Sequence, residues 1–145
     1  MKLYTIGFTK KSAEEFFGLL RASGADKVVD VRLNNVSQLA GFAKRDDLRY
    51  FARELCGMGY AHRLDLAPTR PLLDDYRKHG SGWPAYAAGF LDLLRDRGVE
   101  RSVPREALAD AVLLCSEDAP DHCHRRLVAE YLAERWGGVS VEHLA

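Results

Sequence analysis

The sequence predicts an α/β fold, a three-layer sandwich in which a mainly parallel sheet of about five strands carries helices on both faces. Three observations lead there. Short β-rich runs alternate with amphipathic helical stretches along the chain. The run Ala111 to Cys115, AVLLC, is continuously apolar, as a central strand buried on both faces should be. The stretches between runs are long enough for helical, right-handed crossovers.

Lys2 to Ile6 is the first strand, closed by Gly7. Ser12 stands three residues before Glu15, the spacing of a capping box, and Phe16, Phe17 and Leu20 share a helical face before Gly24, so a helix is expected over 13–23. Lys27 to Val31 is a β-branched second strand ending at Arg32. From Leu33 to Lys44 no period holds, and an irregular loop is expected. Asp46 or Asp47 is the expected cap of the next helix, whose apolar positions Leu48, Phe51, Ala52 and Leu55 precede Gly57. Tyr60 to Leu64 reads as a third strand. The segment from Asp65 to Pro84 holds three prolines and several charges, suiting a surface binding loop with at most a short helix around Leu72 to Arg77. Tyr86, Phe90, Leu91 and Leu94 mark a third helix stopped by Gly98, and Pro104 opens a weak turn through Ala109. After AVLLC and a polar loop, a last helix runs from about Cys123 to Arg135, and Val139 to His143 forms a final strand.

At 145 residues and 47% hydrophobic content, the chain is expected to be a single α/β domain over 1–145 with one core. Its 21 basic and 21 acidic side chains balance, so no global field draws it to nucleic acid or anionic membrane. Three widely spaced cysteines do not make a secreted disulfide framework, which points to the cytoplasm. No stretch approaches the roughly 18 apolar residues of a membrane span.

In a parallel sheet, ligands bind outside the carboxyl ends of the strands. Thr5 and Gly7, Asp30 and Arg32, Tyr60 and His62, and Cys115, Glu117, Cys123, His124 and Arg125 all fall in or beside those ends. A cysteine opening the last helix has its thiolate favoured by the helix dipole, and Arg125 offers a fork of donors to an anion. Cys123 is then a nucleophile with His124 or Glu117 as proton carrier, or Asp30 and Glu117 are the acid and base with the cysteine structural. Under a plainer reading Cys115 is core, Glu117 a cap, and Asp30 and Arg32 a strand-end ion pair. Cys115, His122, Cys123 and His124 also raise the question of zinc, but three are consecutive and a structural site needs four ligands, so no metal is expected. No phosphate loop, dinucleotide turn or nucleophile elbow occurs, and no cofactor is expected.

The residues Thr5 to Gly7 (TIG), Asp30 to Arg32 (DVR), Ser37, Tyr60 with His62, and LLCSE followed by Cys123 to Arg125 (CHR) resemble those of one family, the domain-of-unknown-function family 488 of small bacterial and archaeal proteins. The likeness spans nearly the whole chain. It implies an α/β fold and a polar site built from these motifs, without an assigned activity. The chain departs from the family pattern at Phe8, where histidine is common, at Asn35, where proline is common, and at Leu66 to Pro68, where Leu-Gly-Gly is common. The changed turn implies a subgroup with its own substrate.

The resulting expectation is an enzyme acting on a small anionic, phosphate-bearing ligand related to nucleotides or nucleic acid. Asp30, Glu117, Cys123 and His124 are the catalytic candidates, and Thr5, Gly7, Arg32, Ser37, Tyr60, His62 and Arg125 the ligand-binding ones. The competitor is a non-catalytic module binding nucleic acid or a protein through Lys10, Lys11, Arg63, Arg70 and Arg126.

Overall fold

Five parallel strands in the order β3-β2-β4-β1-β5 form the centre of the computed structural model: β1 (Lys2–Gly7), β2 (Lys27–Asp30), β3 (Gly59–His62), β4 (Ala111–Cys115) and β5 (Ser140–His143). The structure describes residues 1–36, 40–117 and 119–145. AVLLC is the central strand, paired to β1 through Tyr4↔Val112 and to β2 through Val28↔Val112, and all five of its residues are buried.

Alternation along the strands separates two cores. Tyr4, Ile6, Val28, Val112 and Leu114 pack against α1 (Ala13–Ser23) and α2 (Arg45–Cys56) through Phe16, Phe17, Leu20, Leu48 and Ala52. Leu3, Val29, Val31, Leu113 and Cys115 face the other way. There they meet Phe90 and Leu94 of α4 (Trp83–Arg97) and Leu127, Val128 and Leu132 of α7 (His124–Trp136). The three-layer α/β architecture is thus built from the alternating parity of each strand.

Local chemistry sets the helix ends. The capping box forms: the Glu15 amide donates to Ser12 Oγ at 3.1 Å while the Ser12 amide donates to Glu15 Oε1 at 3.3 Å. Gly24 ends α1 in the left-handed region at φ 74°. Neither Asp46 nor Asp47 caps α2. Its N-cap is Lys44, and both acids lie in the first turn, where they still suit the helix dipole.

Several boundaries differ from the sequence expectation: β2 ends at Asp30, Gly41–Ala43 form a 3-10 turn, and Cys123 is the N-cap of α7 rather than its first residue. β3 stops at His62, and Leu64 to Leu66 turn into a 3-10 helix instead of continuing the strand. The short helix in the proline-containing segment begins earlier, as α3 (Arg70–Arg77), because Thr69 Oγ1 accepts from the Leu72 amide and Pro71 suits the first turn. Past Gly98 the chain forms a further turn, α5 (Val99–Ser102), before α6 (Arg105–Leu108). Val99 and Leu108, both fully buried, anchor these two turns in the core. Among the described residues no helix is long and apolar enough to cross a membrane.

Candidate functional site

The helices following β2 and β4 lie on opposite faces of the sheet, and the two strands are neighbours. Their connections diverge at the carboxyl ends and leave a crevice there, as at the switch point of any open parallel sheet. A cavity of about 180 Å³ occupies it, lined by Arg32, Leu33 and Asn34 after β2, Cys115 and Ser116 at the end of β4, His124, Pro68, and Arg70, Leu73 and Arg77 of α3. Positions 70, 73 and 77 form one stripe of α3 by the helical period.

Arg32 is the best-anchored of these residues. It is 3% exposed beside the fully buried Asp30. Its Nε donates to Asp30 Oδ1 at 2.8 Å and its Nη2 to Oδ2 at 2.7 Å, a bidentate pair, and its backbone amide donates to Oδ1 at 3.1 Å. Tyr60 donates its hydroxyl to Asp30 Oδ2 at 2.5 Å and accepts from Asn35 Nδ2 at 3.1 Å. Burial and the neighbouring Asp30 push the Tyr60 phenol well above its usual range, so it stays a donor. His62 Nε2 lies 2.6 Å from the Arg32 carbonyl; a carbonyl only accepts, so this nitrogen carries the proton. Phe8 lies under the guanidinium, with Cζ 5.4 Å from the ring centroid. Phe8 therefore supports Arg32 by a cation–π contact. Arg32 Nη1 is buried and has no hydrogen-bond partner among the described residues.

The opposite wall carries sulfur and imidazole. His124 Nε2 donates to the Val31 carbonyl at 2.7 Å, and its Nδ1 lies 3.5 Å from Cys115 Sγ. Cys123 is buried next to them, and the donor atoms of Cys115, Cys123 and His124 all lie within 4.8 Å of one another. The sequence reading favours a thiolate at Cys123; in the folded chain the two neighbouring thiols are shifted in opposite directions. Burial and the adjacent Cys115 push the Cys123 thiol well up. The Cys115 thiol is drawn down, first by the Cys123 thiol donating to it and then, against burial, by the Arg125 charge and the amides at Ser116 and Glu117.

Other anticipated residues have structural employment. Thr5 is fully buried with Oγ1 2.6 Å from His143 Nδ1. Gly7 lies against the Glu117 peptide, where a Cβ would stand 1.5 Å from the carbonyl oxygen. Arg125 is completely buried and donates from Nη1 to that same carbonyl at 2.5 Å, so its fork faces the interior. Glu117 is exposed; it borders a surface cavity with Thr9, Lys10 and His122 and also a small pocket of about 20 Å³ that Cys115, Cys123, His124 and Arg77 line. Ser37 lies outside the described residues. Sequence reasoning missed Arg77 and placed Cys115 among the strand-end residues without giving it a role in the site. A capped helix beginning at Arg70 was the signal for Arg77, since Thr69-Arg70-Pro71 is a good helix start.

The profile of the family described as Domain of unknown function DUF488 matches residues 12–132. The chain belongs to this family. No curated protein and no solved structure matches it. The DUF488 match takes in β2, β3, β4 and most of α7, and with them every lining residue of the crevice.

Proposed function

We propose that the protein is an enzyme acting on an anionic, phosphate-bearing ligand of the nucleotide or nucleic-acid class, held in the crevice between the ends of β2 and β4. One observation carries this reading: Arg32 lines the crevice, buried and clamped by Asp30, with Nη1 lacking a protein partner among the described residues. A buried donor left without an acceptor costs about 1–3 kcal/mol, a cost that an anion bound beside Arg32 would offset.

Charge agrees. Arg32, Arg70 and Arg77 contribute three guanidiniums, Asp30 offsets one, and none of the described lining residues is acidic. The remaining two positive charges match a phosphate dianion. At about 180 Å³ the cavity is below the roughly 300 Å³ at which whole drug-sized ligands are enclosed, so it takes the charged end while the rest of the ligand lies across the exposed α3. In this reading Asp30, Tyr60 and His62 position Arg32, and His124 and Cys115 supply the reactive wall. Two cations of the competing module reading are engaged elsewhere, Arg63 with Asp65 at 2.8 Å and Arg126 with Glu130 at 3.8 Å.

Calorimetry with inorganic phosphate, pyrophosphate and a nucleoside monophosphate at low ionic strength tests the reading. Arg70→Ala and Arg77→Ala, both at exposed positions, are expected to fold normally and each to weaken binding about 10-fold or more, the effect of one charge-assisted hydrogen bond. A wild-type protein indifferent to all three ligands contradicts it.

A further inference from the structure

We propose that Cys115, Cys123 and His124 form a binding site for one zinc-class divalent cation. A neutral thiol–imidazole contact would need only one cysteine. Here two thiols and an imidazole, all buried, bring their donor atoms within 4.8 Å of one another. Tetrahedral zinc holds sulfur at about 2.3 Å and nitrogen at about 2.0 Å, which sets the two donors roughly 3.5 Å apart. Cys115 Sγ and His124 Nδ1 are separated by 3.5 Å.

The outer shell has the form such a site needs. A ligating histidine nearly always donates its other ring nitrogen to a carbonyl or carboxylate, fixing the tautomer and the direction of the lone pair. His124 Nε2 does this to the Val31 carbonyl at 2.7 Å, and Phe90 meets its ring edge-on at a centroid distance of 5.3 Å. The imidazole is thereby anchored beside the sulfurs, with Nδ1 3.5 Å and Nε2 3.9 Å from Cys115 Sγ, and a small rotation of the ring turns the Nδ1 lone pair onto an ion. Arg125, whose charge acts on Cys115, offsets the negative charge the two sulfurs acquire when their protons pass to the buffer on binding.

Three protein ligands leave a fourth position open, the arrangement of catalytic rather than structural zinc. Cys115 and His124 are also walls of the arginine crevice, so the ion would adjoin that space as a Lewis acid. The objection that consecutive residues cannot all ligate one ion does not apply, because His122 stays out: its ring stacks on Trp83 at 5.0 Å. The site stands on its own ligands and does not rest on the anion reading.

Cobalt(II) titration of reduced, chelator-stripped protein tests it. The expected result is one cobalt per chain, with the strong visible bands of tetrahedral cobalt and a thiolate charge-transfer band in the near ultraviolet, all abolished by one equivalent of zinc. Cys123→Ser is expected to weaken binding by more than the roughly 10–100-fold typical of losing an outer-shell partner, while His122→Ala retains it. Wild-type protein provides a control free of folding effects: zinc should protect Cys115, the thiol that borders the crevice, from iodoacetamide and leave Cys56 unchanged. A weak octahedral spectrum without charge transfer, an unprotected Cys115, or loss of the ion in His122→Ala overturns the assignment. Phosphate calorimetry on the stripped protein reads the anion site separately, so either proposal can fail alone.

Discussion

Arg32 and Asp30 show how one residue pair serves both fold and site. The i, i+2 spacing correctly set the two side chains together at the end of β2, but sequence gave no measure of their burial. If the pair served the site alone, Arg32→Ala would leave folding nearly intact, whereas a loss of several kcal/mol marks a structural ion pair. With Asp30 fully buried, the same substitution strands a carboxylate and is expected to cost about 3–5 kcal/mol in a denaturant titration. The exposed Arg70 and Arg77 are therefore the better probes of binding. Gly7 makes a second residue-scale prediction. Its missing Cβ lets the Glu117 carbonyl approach, and the obstacle is backbone rather than a flexible side chain, so Gly7→Ala should lose at least about 3 kcal/mol or fail to fold. A third concerns the thiols. In stripped protein Cys115, which borders the crevice and has the lowered pKa, should be alkylated before Cys123; mass spectrometry of the labelled peptides gives the order.

At the scale of elements, what was legible followed from local rules. The Ser12 and Glu15 box, Gly24, Gly98 and the apolar stripes of α1, α2 and α4 are properties of a few adjacent residues, and the helices stand where those residues put them. AVLLC was legible as the centre because only a strand covered on both faces can be apolar throughout. The pocket was legible only in outline. That ligands gather beyond the strand ends follows from topology, but α3 reaches the crevice from far along the chain, and nothing local to Arg70 and Arg77 announces Arg32 as a neighbour. Cys115 was hidden for a related reason: the same apolar run that marks a core strand ends in a residue whose chemistry depends on α7. Removing the α1 cap tests how separable the layers are. Ser12→Ala should cost about 1 kcal/mol in thermal or chemical unfolding and leave phosphate affinity unchanged, since α1 lies on the face away from α7.

For the whole molecule, the sheet ties its last strand to its first through a titratable contact. Thr5 and His143 meet across β1 and β5, and burial, followed by the Arg125 charge, lowers the His143 pKa below its usual value near 6.5. The unfolded chain then takes up the proton more readily than the folded one. Stability from this contact is fully present above about pH 6.5 and is lost as the pH falls through the lower folded-state value. Unfolding midpoints measured from pH 7.5 down to 5 should decline, and His143→Gln should flatten that part of the curve. The same sheet, by sending its helices to opposite faces after β2 and β4, creates the crevice on which the functional account depends. A tungstate soak of protein crystals addresses that account most directly, because tungstate mimics phosphate and is located by its anomalous signal. The account predicts a single strong peak in the crevice that Arg32 lines, within hydrogen-bonding distance of the guanidiniums of Arg70 and Arg77; a crevice without tungstate, with the anion bound elsewhere, would contradict it.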